Sequence, residues 1–214
     1  MFKGIRGTHV LFVHGMGRTP LSGLPMLWRL RNRGITTSAF FYSVTVEKFN
    51  SIEDRLRRVI TAISLLDDYI LVGHSLGGVL IRSVLPTLPA KANPPVQVFL
   101  MGSPIRPARI AVYLRNNLLF RWLAGDCGQL LGSESQMSSI PPCAYPTTGF
   151  IGTRGFHGKR SFFGDEVNDC VVSESEITAD WISEQIKVPV NHTWMPSSKL
   201  ITQFIYERIQ TAEN

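Results

Sequence analysis

Apolar residues along this chain gather in short runs of strand length, separated by stretches in which they recur every three or four positions. Thr8 to Val13 is a run rich in valine and phenylalanine that ends in His14-Gly15-Met16-Gly17, the form of a buried parallel strand leading into a glycine-rich loop. Leu24, Leu27, Trp28 and Leu30 follow at helical spacing among arginines, with Gly34 placed as a C-terminal cap. Thr36 to Thr45 is β-branched and aromatic, so it reads as the next strand. Asn50-Ser51-Ile52-Glu53-Asp54 has the capping side chain and early acids of a helix start, and Leu56, Val59, Ile60 and Ile63 continue it. Tyr69-Ile70-Leu71-Val72 is an apolar strand broken by Gly73-His74-Ser75-Leu76-Gly77, after which a second apolar run continues as a buried helix to Pro86 and Pro89. Pro95 to Leu100 is another strand. Arg109 to Leu123 predicts a helix apolar around much of its circumference, and therefore buried on more than one side. Gly125 to Tyr145 reads as loop, Thr147 to Thr153 and the short Val188 to Val190 as the last strands, and Ser197 opens a final helix carrying Leu200, Ile201, Phe204, Ile205 and Ile209.

Strands that alternate with helices imply a mostly parallel sheet of about six strands with helices on both faces. A chain of 214 residues, 44% hydrophobic and 18% charged, fits a single domain spanning residues 1–214. After Met1 to Arg6 the apolar segment runs only from Val10 to Val13, too short for a signal peptide, and no stretch nears the roughly 20 residues that span a bilayer. The 3 cysteines, Cys127, Cys143 and Cys170, suit neither a disulfide framework nor metal-ligand spacing, so free thiols and no metal are expected. A cytoplasmic enzyme without cofactor or integral membrane contact is the reading these features support. The formal charge of +6 comes from arginines spread over several helices, with no basic run interleaved with aromatics, so no nucleic-acid partner is expected.

The stretch from Tyr69 to Leu80 carries the chemistry. A strand, a sharp turn and a helix place Ser75 at the apex, where Gly73 and Gly77 avoid collisions that any side chain would make. Serine-based acyl transfer also needs a base, an acid that orients it and donors for the oxyanion, and in α/β sheets such groups belong at the carboxyl ends of the strands.

With Gly73-His74-Ser75-Leu76-Gly77 after one strand and His14-Gly15-Met16-Gly17 after the first, the sequence resembles the α/β-hydrolase family, particularly its small lipase-like serine esterases. The resemblance covers nearly the whole chain. It implies Ser75 as nucleophile and an oxyanion hole from the backbone N–H groups of Met16 and Leu76. His14 would brace that loop, with Gly15 and Gly17 letting it approach the substrate. Asn168-Asp169-Cys170-Val171-Val172 looks like the family's Asn-Asp-Gly-Val-Val segment, which points to Asp169 as the acid, with Cys170 where glycine is usual. Asp165, Glu166 and Glu174 lie close enough to compete. Among the 5 histidines, His192 follows the last strand, where the family places its base. His74 is the variable position of the turn, and His9 and His157 need no more than solvent.

The expected activity is hydrolysis of a small-molecule or lipid-like carboxylic ester by Ser75, His192 and Asp169. A thioester, an amide or an acyl-transfer reaction suits the same residues, and a non-catalytic binding protein of the same fold is the rival from another class. Little or no cap is expected, since only Arg109 to Tyr145 is free to cover the site, as lid or as core.

Overall fold

The computed structural model describes residues 7–159 and 161–213; Met1 to Arg6, weighed above as a leader, lie outside them. Six strands form one parallel sheet: β1 (Thr8–Val13), β2 (Thr36–Phe40), β3 (Asp68–His74), β4 (Gln97–Met101), β5 (Thr147–Gly152) and β6 (Glu184–Val188). They lie in the order β2-β1-β3-β4-β5-β6, so the direction of winding reverses between β1 and β3. Successive side chains of a strand point to opposite faces, and the interior divides accordingly. Leu11, Val13, Leu71 and Leu100 face one layer, built by α2 (Phe49–Ser64), α3 (Leu76–Val84) and residues after β4. Val10, Phe12, Val72 and Phe99 face the other, built by α1 (Leu24–Arg31) and α8 (Lys199–Glu213). Ile52, Leu56 and Ile60 of α2, and Ile201, Ile205 and Ile209 of α8, are fully buried, as spacings of three and four residues require.

The region between β4 and β5 departs from expectation. Arg109 to Leu123 is not one helix: α4 (Arg109–Leu114) ends before α5 (Leu118–Leu131), and α6 (Glu134–Ser139) follows, so much of the stretch read as loop is helical. Gly125 kinks α5 with φ 54° and ψ −152°, and its Cα packs against the Val44 carbonyl, where a Cβ would come within 2.5 Å of the oxygen. Beyond this kink Cys127, Leu130 and Leu131, with Met137, Ile140 and Cys143, join the core around α3. Before it, Leu118, Leu119, Trp122 and Leu123 lie in solvent instead of being buried on several sides. The segment is thus core in its second half and exposed in its first. Cys127 and Cys143 are buried free thiols.

Three smaller corrections concern boundaries. β2 stops at Phe40, because the chain turns there to bring Tyr42 onto His14. Helix α2 begins at Phe49, whose N–H is accepted by the Asp126 carboxylate at 3.1 Å, so a distant side chain does what Asn50 or Ser51 was expected to do. The last strand is Glu184–Val188 and not Val188 to Val190. As an edge strand it alternates exposed and half-buried positions, which hides it among charged residues. Among the described residues no helix is long and apolar enough to cross a membrane.

Candidate active site

Four strand ends, those of β1, β3, β4 and β6, and the loop after β5 converge on one place, at the carboxyl edge of the sheet beside its winding reversal. Ser75 leaves β3 with φ 53° and ψ −123°, one of two described non-glycine residues with positive φ. Its N–H is held by the Met101 carbonyl at 2.9 Å and its carbonyl accepts from Gly78 at 3.0 Å, which locks the turn from both sides. The glycines around it have steric reasons to be glycine. A Cβ on Gly73 would sit 2.5 Å from the Gly78 backbone, and one on Gly77 would sit 2.1 Å from the Val13 carbonyl oxygen. The hydroxyl-bearing residue stays half-buried at the N-terminus of α3, where Leu76 offers one of the first N–H groups that a helix leaves unpaired.

Asp169 and His192 meet across 23 residues of sequence. His192 Nδ1 lies 2.7 Å from Asp169 Oδ2, and Asp169 Oδ1 accepts the N–H groups of Val171 at 2.9 Å and Val172 at 2.8 Å. The His192 N–H in turn donates to the Asp169 carbonyl at 2.9 Å, so backbone and side chain are fixed together. Both residues are buried. A neutral His192 donating from Nδ1 keeps Nε2 as its free acceptor, the tautomer a base needs. Gly102, with φ 53°, seats the pair: a Cβ there would come within 2.9 Å of both Asp169 Oδ2 and His192 Nδ1.

The turn that carries Asp169 explains the odd residue beside it. Cys170 is the second described non-glycine residue of positive φ, at 83°, which is why a glycine suits this place. The turn forms nonetheless, because Asp169 N–H donates to Val172 O at 3.1 Å and Asn168 accepts from Cys170 N–H at 3.1 Å. Two of the three competing acids are engaged elsewhere. Glu166 pairs with Arg109 at 2.7 Å, Glu174 pairs with Lys187 at 2.9 Å, and Asp165 is exposed. Burial alone would raise the Glu166 pKa, but hydrogen bonds from Ser175 and Arg109 outweigh it and hold the carboxyl at about 2.

On the β1 side, His14 is stacked flat on Tyr42, with ring centroids 4.2 Å apart. Its Nε2 accepts the Tyr42 N–H at 3.4 Å and its Nδ1 lies 2.9 Å from the Gly15 carbonyl, while Tyr42 Oη donates to the His14 carbonyl at 2.6 Å. Burial lowers the His14 pKa, which suits a neutral ring donating from Nδ1 to Gly15. The loop then turns sharply, Arg18 N–H reaching the Gly15 carbonyl at 3.3 Å and Gly17 adopting φ 66°. Gly15 lies against the strand-to-helix elbow at Ser75, since a Cβ there would be 3.0 Å from Ser75 Cβ. Met16 is half-buried and packs on the core. A hollow of about 300 Å³ borders this loop, lined among others by His14, Gly17, Arg18, Tyr42 and Thr45.

Two residues matter more here than their sequence context suggests. His74, read as a variable position, is buried and joins the two halves of the site: its Nε2 lies 3.0 Å from the His192 carbonyl and its ring packs 4.7 Å from the His192 ring. Burial, with His192 next to it, pushes its pKa well below the ordinary histidine value, so it donates as a neutral ring. Tyr42 is the other, and its only sequence signal was an aromatic at the end of an apolar run.

Neither a family model nor a curated protein matches this sequence. Solved structures do match. The lipase BlEst2 of Bacillus licheniformis in its propeptide form is 18% identical with a TM-score of 0.70, over 95% of this chain and 50% of that one. The RedJ thioesterase of the prodiginine pathway in Streptomyces coelicolor is 15% identical at a TM-score of 0.65, over 96% and 86% of the two chains. Tomato methylketone synthase I, solved with 2-tridecanone, is 14% identical at a TM-score of 0.65, over 97% and 99%. The fold they share with this chain is that of the α/β-hydrolases.

Proposed function

We propose that this chain, with its α/β-hydrolase fold, is a serine hydrolase that cleaves carboxylic esters through an acyl-enzyme. The observation that carries the reading is the buried Asp169–His192 pair, held at 2.7 Å, with the His192 ring packed 4.7 Å from that of His74, the residue that precedes the positive-φ serine. Ser75 Oγ attacks the ester carbonyl while His192 Nε2 takes its proton, and Asp169 stabilises the imidazolium without itself being protonated. The N–H groups of Leu76 and Met16 receive the oxyanion. Collapse of the tetrahedral intermediate breaks the bond to the alcohol, which leaves with the proton from His192. Water then gives a proton to His192, attacks the acyl carbon, and releases the acid as the proton returns to Ser75 Oγ. His74 keeps the His192 segment at the elbow through the two steps.

Esters of short to medium acyl chain, lipid-derived ones included, suit a site without a large cap. Thioesters are a second reading, favoured by the likeness to the RedJ thioesterase. Labelling with a fluorophosphonate tests the nucleophile, since a binding protein leaves Ser75 unmodified. Paired oxygen and sulfur esters of one acyl group separate the two substrate classes.

A further inference from the structure

The first half of α5 is a helix with two apolar faces and only one of them covered. Phe120 and Ala124 turn inward onto the core. Leu118, Leu119, Trp122 and Leu123, spaced by one and four positions, share the opposite face and stand in solvent, Leu118 at 77% and Trp122 at 68% exposure. Further large apolar side chains stand exposed on the adjoining segments. Thr45 Oγ1 donates to the Leu123 carbonyl at 3.0 Å and brings exposed Val46 alongside, and Tyr113 in α4 meets Phe162 edge to face at 5.8 Å. A helix that is apolar on its solvent face as well as on its core face normally has a second covering surface, and clustered exposed apolar side chains mark an interaction site.

The charges around it say what covers it. From Ile105 to Gly125 the chain has four arginines, Arg106, Arg109, Arg115 and Arg121, and no aspartate or glutamate; of the acids on the adjoining segments, Glu47 is paired with Arg55, Glu166 with Arg109, Asp126 accepts the Phe49 N–H, and Asp165 is exposed. Arg109 is paired with Glu166, but Arg115 and Arg121 are exposed on the connecting turn and beside the apolar face. Leucines and a tryptophan flanked by arginines, with no acid between, match a surface of acyl chains beneath negatively charged headgroups. Arg115 and Arg121, with no acidic partner beside the apolar face among the described residues, supply the positive charge that such a surface attracts. We infer that α4 and the first half of α5 dock this chain on an anionic bilayer surface, with Leu118, Leu119 and Trp122 entering the headgroup layer. The inference stands on this patch alone and does not depend on the reaction at Ser75.

Co-sedimentation with vesicles of phosphatidylcholine, alone or mixed with phosphatidylglycerol, tests it. The wild-type chain should pellet with the mixed vesicles. Leu119→Asp/Trp122→Asp should weaken that binding by more than about tenfold. Arg115→Gln/Arg121→Gln, at two exposed positions, should weaken it by about thirtyfold at low salt while leaving binding to pure phosphatidylcholine unchanged. Wild-type tryptophan emission should shift to the blue on adding mixed vesicles, and the shift should shrink in Trp122→Phe. Failure of the wild type to bind mixed vesicles, or equal binding by all variants, overturns the inference. So does a wild-type dimer in solution that Leu119→Asp/Trp122→Asp converts to a monomer when neither binds vesicles, since the patch would then face a second copy.

Discussion

Ser75 and Cys170 hold the same kind of backbone for opposite reasons. At Ser75 the positive φ aims a side chain, and the surrounding hydrogen bonds and glycines leave no other turn. Ser75→Ala should therefore lower kcat by on the order of a millionfold while keeping the fold, measured on purified chain with a chromogenic ester. A variant retaining more than a few per cent would refute the assignment. Asp169→Asn should lower kcat by about ten-thousandfold with little change in KM, because the imidazole loses its orienting acceptor. Neither Glu166→Gln nor Glu174→Gln should approach that loss. Cys170 carries strain without aiming anything, its Sγ merely donating to the Arg154 carbonyl at 3.3 Å. Cys170→Gly should raise stability by about 0.5–1 kcal/mol, the left-handed strain removed exceeding the entropy that glycine adds, seen as a higher urea midpoint with kcat unchanged. His74 gives the residue-scale lesson: the elbow pattern leaves it variable, and only the folded chain brings its ring to the His192 carbonyl.

At the scale of elements, the site depends on segments that are tied to one another by side chains from far along the chain. Helix α7 (Glu174–Ile177) opens with a capping box in which Glu176 accepts from Ser173 N–H at 2.6 Å. The other Glu176 oxygen accepts the Arg109 N–H at 2.5 Å, so the loop bearing Asp169 is clamped to the start of α4. Glu166 adds the ion pair to Arg109 at 2.7 Å. Because the Glu166 carboxyl is held at about 2, below its unfolded value, its contribution is complete above the unfolded value and fades as pH falls from there toward about 2. The urea stability of the wild type should exceed that of Glu166→Gln at neutral pH, and the gap should close across that acid range. A gap that stays constant would show that Glu166 titrates as it does in the unfolded chain. The kink of α5 gives a sharper test. Gly125→Ala puts a methyl 2.5 Å from the Val44 carbonyl oxygen in a conformation open only to glycine, and should cost at least about 2 kcal/mol.

Taken whole, the molecule places its candidate site on the sheet edge and leaves an apolar helix face beside its arginines uncovered. Residues after the kink of α5 are core, so the only part of 109–145 able to act as a cover is short, and its apolar face already lies open. An interface thus has no closed cap to open. Hydrolysis should saturate, with no jump in rate, as an ester passes its solubility limit. Each added methylene contributes its roughly 0.8 kcal/mol only where the site buries it, so kcat/KM should peak at short to medium acyl length. A sharp activation with preference for long-chain triglycerides would show α4 and α5 to be a lid.

The sequence by itself determined whatever is encoded locally. Continuous apolar runs mark parallel strands that are buried on both faces, the spacing of Leu56 and Ile60 or Ile201 and Ile205 marks helix faces, and glycines flank the serine because backbone would otherwise collide with backbone. Asp169 and His192 were legible as candidates only through a family resemblance, and the structure is what brings the two together across the sheet edge. It alone decided that Glu166 and Glu174 are spent on Arg109 and Lys187, that Tyr42 and His74 brace the loops, and that one half of α5 is core while the other faces solvent. The physical reason is the same in each case. Spacing tells which side chains share a face, but what that face meets is set by segments tens of residues away, and β6 was hidden because an edge strand meets water on alternate positions and so loses the apolar run that betrays its neighbours.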